Sequence, residues 1–180
     1  MKEAGIALRA LRGSELSREE WTIFHRLYQT TFARYGNYPA MTKQFFGQLA
    51  QRMGESIMVI FAEKYQKIVA ASFFLIGSDT LYGRYWGSFE DIPALHFETC
   101  YYMGLEHCIA AGLQRFEPGA QGEHKISRGF LPTLTYSLHW IAQPAFHRAI
   151  AEFLSRERLL IEKDVEELNK HSPFRRDGRA

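Results

Sequence analysis

The chain has 180 residues, 46% of them hydrophobic and 23% charged, a balance that suits a globular core and excludes a disordered, collagen-like or low-complexity polymer. Its formal net charge of +2 is too small for a dedicated nucleic-acid binder, so any nucleic-acid contact is local. No run of about 18 apolar residues occurs and no long apolar stretch follows the first residues, so the expectation is an unexported, cytoplasmic protein without a membrane span.

Residues 5–11 alternate loosely and predict a short strand. Leu16-Ser17-Arg18-Glu19-Glu20-Trp21 then marks a helix start, with Ser17 as N-cap, Glu20 completing a capping box and Leu16 with Trp21 as a hydrophobic staple. Trp21, Phe24, Tyr28, Phe32 and Tyr35 follow at helical spacing and predict an inward face. Gly36-Asn37-Tyr38-Pro39 ends that helix, and a second begins after Thr42 and stops at Gly54, with Phe45, Phe46 and Leu49 inward.

Three strand-like runs come next, over 56–62, 68–76 and 81–88. Their short links predict an antiparallel meander, and the first two are apolar enough to be covered on both faces. A helix is expected from Pro93 to about Gly112, carrying Cys100 and Cys108 eight residues apart, a spacing that forbids a disulfide between them. A short strand over 114–116, a polar segment over 118–129 and a strand over 133–140 follow. The last element is a long helix from Pro144 to Asn169, with an apolar stripe of Phe146, Ile150, Phe153, Leu154, Ile161, Val165 and Leu168. Glu152/Arg156 and Arg158/Glu162 are expected as ion pairs on its outer face.

This order is that of an α+β, three-layer α/β/α GNAT-like fold with a mixed, mostly antiparallel sheet that splays between the strands over 81–88 and 114–116. One domain is expected over 1–180, with its core over 5–170 and a tail over 171–180.

Three segments can carry chemistry. The stretch from Phe116 to Pro132 brings Glu117, Gln121, Glu123, His124, Lys125 and Arg128 into a glycine-punctuated connection whose backbone can approach a ligand closely. It is either a solvated loop or one that closes over a site. In Leu81-Tyr82-Gly83-Arg84-Tyr85-Trp86-Gly87-Ser88, alternation puts Tyr82, Arg84 and Trp86 on one face and Gly83, Tyr85 and Gly87 on the other. Tyr85 and Trp86 are candidates for binding, although aromatic strand residues more often pack in a core. His96 and Glu98 open the next helix, where Glu98 also suits the positive end of the helix dipole.

These segments resemble the FemAB-like family: Tyr85-Trp86-Gly87, the helix with Leu95-His96-Phe97-Glu98 and Cys100-Tyr101-Tyr102, and the stretch from Phe116 to Pro132 carry the likeness. It runs from the first helix to His171-Ser172-Pro173-Phe174. The resemblance implies a GNAT fold, peptidoglycan biosynthesis or recognition, and kinship with aminoacyltransferases that draw on aminoacyl-tRNA. Members of that family are usually about twice as long, so a preceding GNAT-like half or a homodimer is a candidate partner.

The leading expectation is an N-acyltransferase acting on a small-molecule or peptide amine, with no covalent intermediate and no metal. Glu123, Glu117 and His124 are the candidate bases. Lys125 and Arg128 are candidates for anionic groups, with Tyr85, Trp86, His96, Glu98 and Gln121 as further binding residues. No resident cofactor is expected, and aminoacyl-tRNA or acyl-CoA is the donor substrate. Between these donors, Ser88-Phe89-Glu90-Asp91-Ile92-Pro93 argues against acetyl-CoA, because a pyrophosphate there would meet two carboxylates and no glycine. The alternative is a non-catalytic module that recognises a cell-wall precursor or peptide with the same fold.

Overall fold

The computed structural model describes residues 5–119 and 122–174. The chain divides into two compact units, Met1–Gly119 and Ala120–Ala180.

The first unit is a five-stranded sheet between two helical layers. Strand β1 (Ile6–Arg12) leads to α1 (Arg18–Arg34) and α2 (Lys43–Met53), followed by the meander β2 (Ile57–Lys64), β3 (Lys67–Ile76) and β4 (Thr80–Ser88). The crossover runs through α3 (Leu95–Phe97), a π-helical turn over Glu98–Tyr102 and α4 (Met103–Ala111) to β5 (Arg115–Glu117). Sheet order is β1-β2-β3-β4-β5, with the first three pairings antiparallel and β4–β5 parallel. This is the mixed, mostly antiparallel open sheet expected.

Local chemistry explains the element bounds. The Ser17 hydroxyl accepts from the Glu20 N–H and the Glu20 carboxylate accepts from the Ser17 N–H, which closes the capping box. The Thr42 hydroxyl accepts from the Phe45 N–H at the start of α2. Tyr65 and Gln66, at φ 50° and 61°, form a two-residue turn between β2 and β3, tighter than the link the sequence predicts.

Phe24, Leu27, Tyr28 and Phe46 of α1 and α2 pack with Ile57, Val59, Phe61, Ala71 and Phe73 on one sheet face. On the other face Leu95 packs with Ala62 and Ala70, while Cys108 packs with Met58, Ile60, Phe74 and Leu81. Strands β2 and β3 are therefore buried on both sides. Of the residues expected inward, Tyr35 is largely exposed because it is the C-cap of α1, past the last buried turn, and Phe45, in the first turn of α2, is 39% exposed beside the buried Phe46.

Nothing in the sequence pattern predicts the π-turn. The buried Ser72 hydroxyl of β3 donates to the Thr99 carbonyl at 3.0 Å, while the Thr99 hydroxyl donates to the Leu95 carbonyl at 2.9 Å. A helix carbonyl taken up by the sheet is a local reason for the widened turn.

In the second unit Glu123–Arg128 forms a 3-10 turn, which Gly129 ends at φ 89°. Helix α5 spans Pro144–Asn169, with Gln143 as its cap and proline in its first turn. Two expectations are corrected here. Residues 133–140 form no strand: their alternation of Leu134, Tyr136, Leu138 and Trp140 is intact, but those side chains are exposed and no neighbouring strand pairs with them among the described residues. The apolar stripe of α5 buries no residue, and the expected Glu152/Arg156 and Arg158/Glu162 pairs do not form, the side chains being solvated.

Candidate functional site

The candidate site lies where β4 and β5 part. Strand β5 pairs only with Thr80, Leu81 and Tyr82 of β4. Just beyond, Phe73 faces Tyr85 while Phe74 faces Gly83, so Arg84 is an extra residue in β4. A bulge bends its strand and re-aims the side chains past it. From Gly83 to Ser88 β5 contributes no partner, and Arg84 and Glu117 flank the fork 3.7 Å apart.

The bulge also corrects the expected alternation. Gly83 pairs with Phe74 on the α4 face, whereas Tyr85 joins the cluster beneath α1 and α2. Trp86 packs on the opposite face, against the cluster that holds Leu95. Each extra residue shifts the period of two by one, so Gly83 and Tyr85 no longer share a face.

Helix α1 closes tightly over the half of β4 that β5 leaves, which stays paired with β3. The Thr31 hydroxyl donates to the Trp86 carbonyl. A Cβ at Gly87 would lie 2.0 Å from the Leu27 carbonyl oxygen, so only glycine permits this approach. At the same end of β4 a cleft of about 260 Å³ opens. Thr30, Thr31, Arg34 and Tyr35 line it from α1, Trp86 and Ser88 from β4, and Glu90, Asp91, Ile92 and His96 from the turn and helix beyond it. The Trp86 and His96 rings meet edge to face with centroids 5.4 Å apart.

The electrostatics of the cleft are specific. Lys64 binds the Glu90 carboxylate at 2.8 Å, and that hydrogen bond holds the Lys64 ammonium above its ordinary pKa. The Asp91 carboxylate and the Arg34 guanidinium are exposed at its edge. In the turn, the Phe89 N–H donates to the Val69 carbonyl at 2.9 Å, the Glu90 N–H to the Ser88 hydroxyl at 3.3 Å and the Leu95 N–H to the Ile92 carbonyl at 3.2 Å.

The expected site residues separate. Trp86 and His96 come together in the cleft. Tyr85 sits instead among Tyr28, Phe46 and Phe73, with burial pushing its phenol pKa up, Tyr28 adding to the shift and Arg84 opposing it. Glu98 is half-buried in the π-turn and Glu117 is exposed at the end of β5. Glu123, His124, Lys125 and Arg128 belong to the second unit, where the Arg128 guanidinium donates to the His124 carbonyl at 2.7 Å. Gln121 lies outside the described residues. Thr30, Thr31 and Arg34 are new to the site, and Asp91 joins it from the acidic turn that the sequence marks as unfavourable for a pyrophosphate. The signal for the two threonines was a polar run, Gln29-Thr30-Thr31, inside the apolar stripe of α1.

Comparison with known proteins bears on the fold. An aminoglycoside acetyltransferase from an uncultured soil metagenomic sample, solved with sisomicin, superposes with a TM-score of 0.56 at 11% identity over 79% of this chain and 99% of its own. A predicted acetyltransferase from Clostridium acetobutylicum, solved with acetyl-CoA, gives 0.56 at 10% identity over 74% and 95%. The C-terminal domain of a putative lysylphosphatidylglycerol synthetase from Agrobacterium fabrum gives 0.50 at 11% identity over 64% of this chain and 36% of that one. At such identities the likeness establishes the GNAT fold alone. No curated protein matches the sequence. Among the described residues no helix is long and apolar enough to cross a membrane. The FemAB_like family model, described as peptidoglycan biosynthesis/recognition, matches residues 1–176, and the chain belongs to that family.

Proposed function

We propose that the chain, working as one domain over residues 1–180, is an N-acyltransferase that moves an aminoacyl group onto an amine held in the cleft. The observation that carries this reading is the bulge at Arg84, beyond which β4 leaves β5 and the cleft opens beside its free half. An acyl ester lying along Gly83–Ser88 meets an amine seated between Thr31 and His96.

The reaction needs three things. The ammonium of the acceptor loses a proton to a base, for which Glu123 and Glu117 are the candidates and His124 the alternative. The neutral amine attacks the ester carbonyl, a C–N bond forms, and the C–O bond to the donor breaks as the leaving hydroxyl takes up a proton. Lys125 and Arg128 are the groups proposed to meet the phosphates of the donor. Trp86 and His96, which line the cleft, hold the acceptor.

An aminoacyl-tRNA is the proposed donor in preference to acetyl-CoA. The Phe89 N–H is bonded to β3, the Glu90 and Leu95 N–H groups are bonded within the turn and Pro93 has none, so few remain for a pyrophosphate beside Glu90 and Asp91. The test is incubation of the full chain with radiolabelled aminoacyl-tRNA or with acetyl-CoA and a peptide amine. Amide product from the tRNA donor alone supports the reading. Peptide binding without product from either donor replaces it with a recognition module.

A further inference from the structure

We infer that the cleft binds an α-amino-acid zwitterion, with Arg34 taking the carboxylate and Asp91 the ammonium. This names the acceptor class of the proposed transfer reaction, and it rests on that reading only for the chemistry after binding.

Charge is the first argument. Glu90 is neutralised by Lys64 at 2.8 Å. Arg34 and Asp91 line the same cleft, and neither has an ion-pair partner within 4.0 Å among the described residues. Among the described residues the cleft therefore offers Arg34 as an open cation and Asp91 as an open anion. A purely anionic ligand leaves Asp91 opposed, and a purely cationic one leaves Arg34 opposed. A ligand carrying both charges satisfies both.

Hydrogen-bonding capacity is the second. The Thr30 hydroxyl donates to the Leu27 carbonyl at 2.6 Å and the Thr31 hydroxyl to the Trp86 carbonyl. Each hydroxyl proton is engaged, so both oxygens are left with accepting lone pairs. With the Asp91 carboxylate, they give the cleft lining three acceptor groups, suited to the three N–H groups of an ammonium. Arg34 supplies the donors for a carboxylate.

Size is the third. A volume of about 260 Å³ is below that of pockets for drug-sized ligands, which begin near 300 Å³. The Trp86 and His96 rings give the small apolar part of the ligand a wall.

The test is titration of the full chain by 1H–15N NMR with L-alanine, its methyl ester, which keeps only the ammonium, and N-acetyl-L-alanine, which keeps only the carboxylate. L-alanine is expected to shift the Thr30, Thr31 and Asp91 amides saturably, and each single-charge analogue to bind about tenfold more weakly. Arg34→Gln should bring L-alanine down to the level of its methyl ester, and Asp91→Asn to that of the N-acetyl form. Equal binding of the three probes overturns the inference, as does the lack of saturable cleft shifts up to about 50 mM. The probe series on the unaltered chain decides the matter even if a variant misfolds. Zwitterion binding without acyl transfer leaves this inference standing and removes the transfer reading.

Discussion

The carbonyl oxygen of Leu27 occupies the space where a side chain on Gly87 would begin, 2.0 Å from an added Cβ. Backbone on backbone at this range cannot be relieved by rotating a side chain, so helix α1 is seated on β4 through a glycine. Gly87→Ala is expected to lower unfolding stability by about 3 kcal/mol or more, at the upper end of overpacking costs. Urea unfolding measures it. A change below about 0.5 kcal/mol would mean that α1 and β4 do not touch there.

Ser72 and Thr99 form a buried polar link between β3 and the π-turn, with Ser72 1% and Thr99 0% exposed. Ser72→Ala removes the hydroxyl and leaves the Thr99 carbonyl short of a donor. The expected loss is about 1–3 kcal/mol, the usual cost of a buried group deprived of its partner. Ser72→Thr, which keeps the hydroxyl, should retain more of the stability than Ser72→Ala. The opposite order would assign the cost to packing alone.

His107 supplies a pH test. Burial, followed by the charge of Arg12, holds its pKa below the ordinary value, and its Nε2 is shielded without a hydrogen-bond partner among the described residues. The unfolded chain takes up a proton on this ring as the pH falls through about 6.5, while the folded chain resists. The His107 contribution to stability is therefore complete above that pH and is lost progressively below it, down to the folded pKa. His107→Leu should flatten the fall in melting temperature between about pH 7 and pH 5.5. An unchanged pH dependence would show that the ring titrates normally.

How far these features are legible in the sequence depends on how local their causes are. The capping box at Ser17 and Glu20, the cap at Thr42 and the Pro144 start of α5 are each written within a few residues, and the structure has them there. The fork at β4 was legible as a pair of strands, but the bulge at Arg84 depends on pairing with β3, which no alternation within β4 reveals. The pattern over 133–140 reads as a strand, yet a strand needs an edge to pair with, and that requirement is not local. Trp86 and His96 were recognisable as candidates, and they meet in the cleft. Thr30, Thr31 and Arg34 were hidden because they share α1 with its core stripe, and only the fold turns that end of the helix toward β4.

The polar segment carries its own expectation under the proposed donor. Lys125→Ala should weaken tRNA binding and reduce its salt dependence, because a cation that no longer meets a phosphate lowers the slope by about one unit. Arg128→Ala should in addition loosen the 3-10 turn, since the guanidinium holds the His124 carbonyl. Filter binding across a salt series, with melting curves for each variant, separates the two effects. Unchanged salt slopes would show that this segment does not meet phosphate.

The central claim is that the cleft beside the free half of β4 seats the amine of an acyl-transfer reaction. Its most direct measurement is the steady-state rate of amide formation from aminoacyl-tRNA by the full chain, compared with Asp91→Asn and Glu117→Gln. Loss of the Asp91 charge should raise KM for the amine about tenfold with kcat little changed, and loss of the Glu117 carboxylate, the candidate base in the same unit, should lower kcat by about 100-fold or more. Turnover that neither substitution alters, or full binding of the amine with no amide formed, would contradict the account.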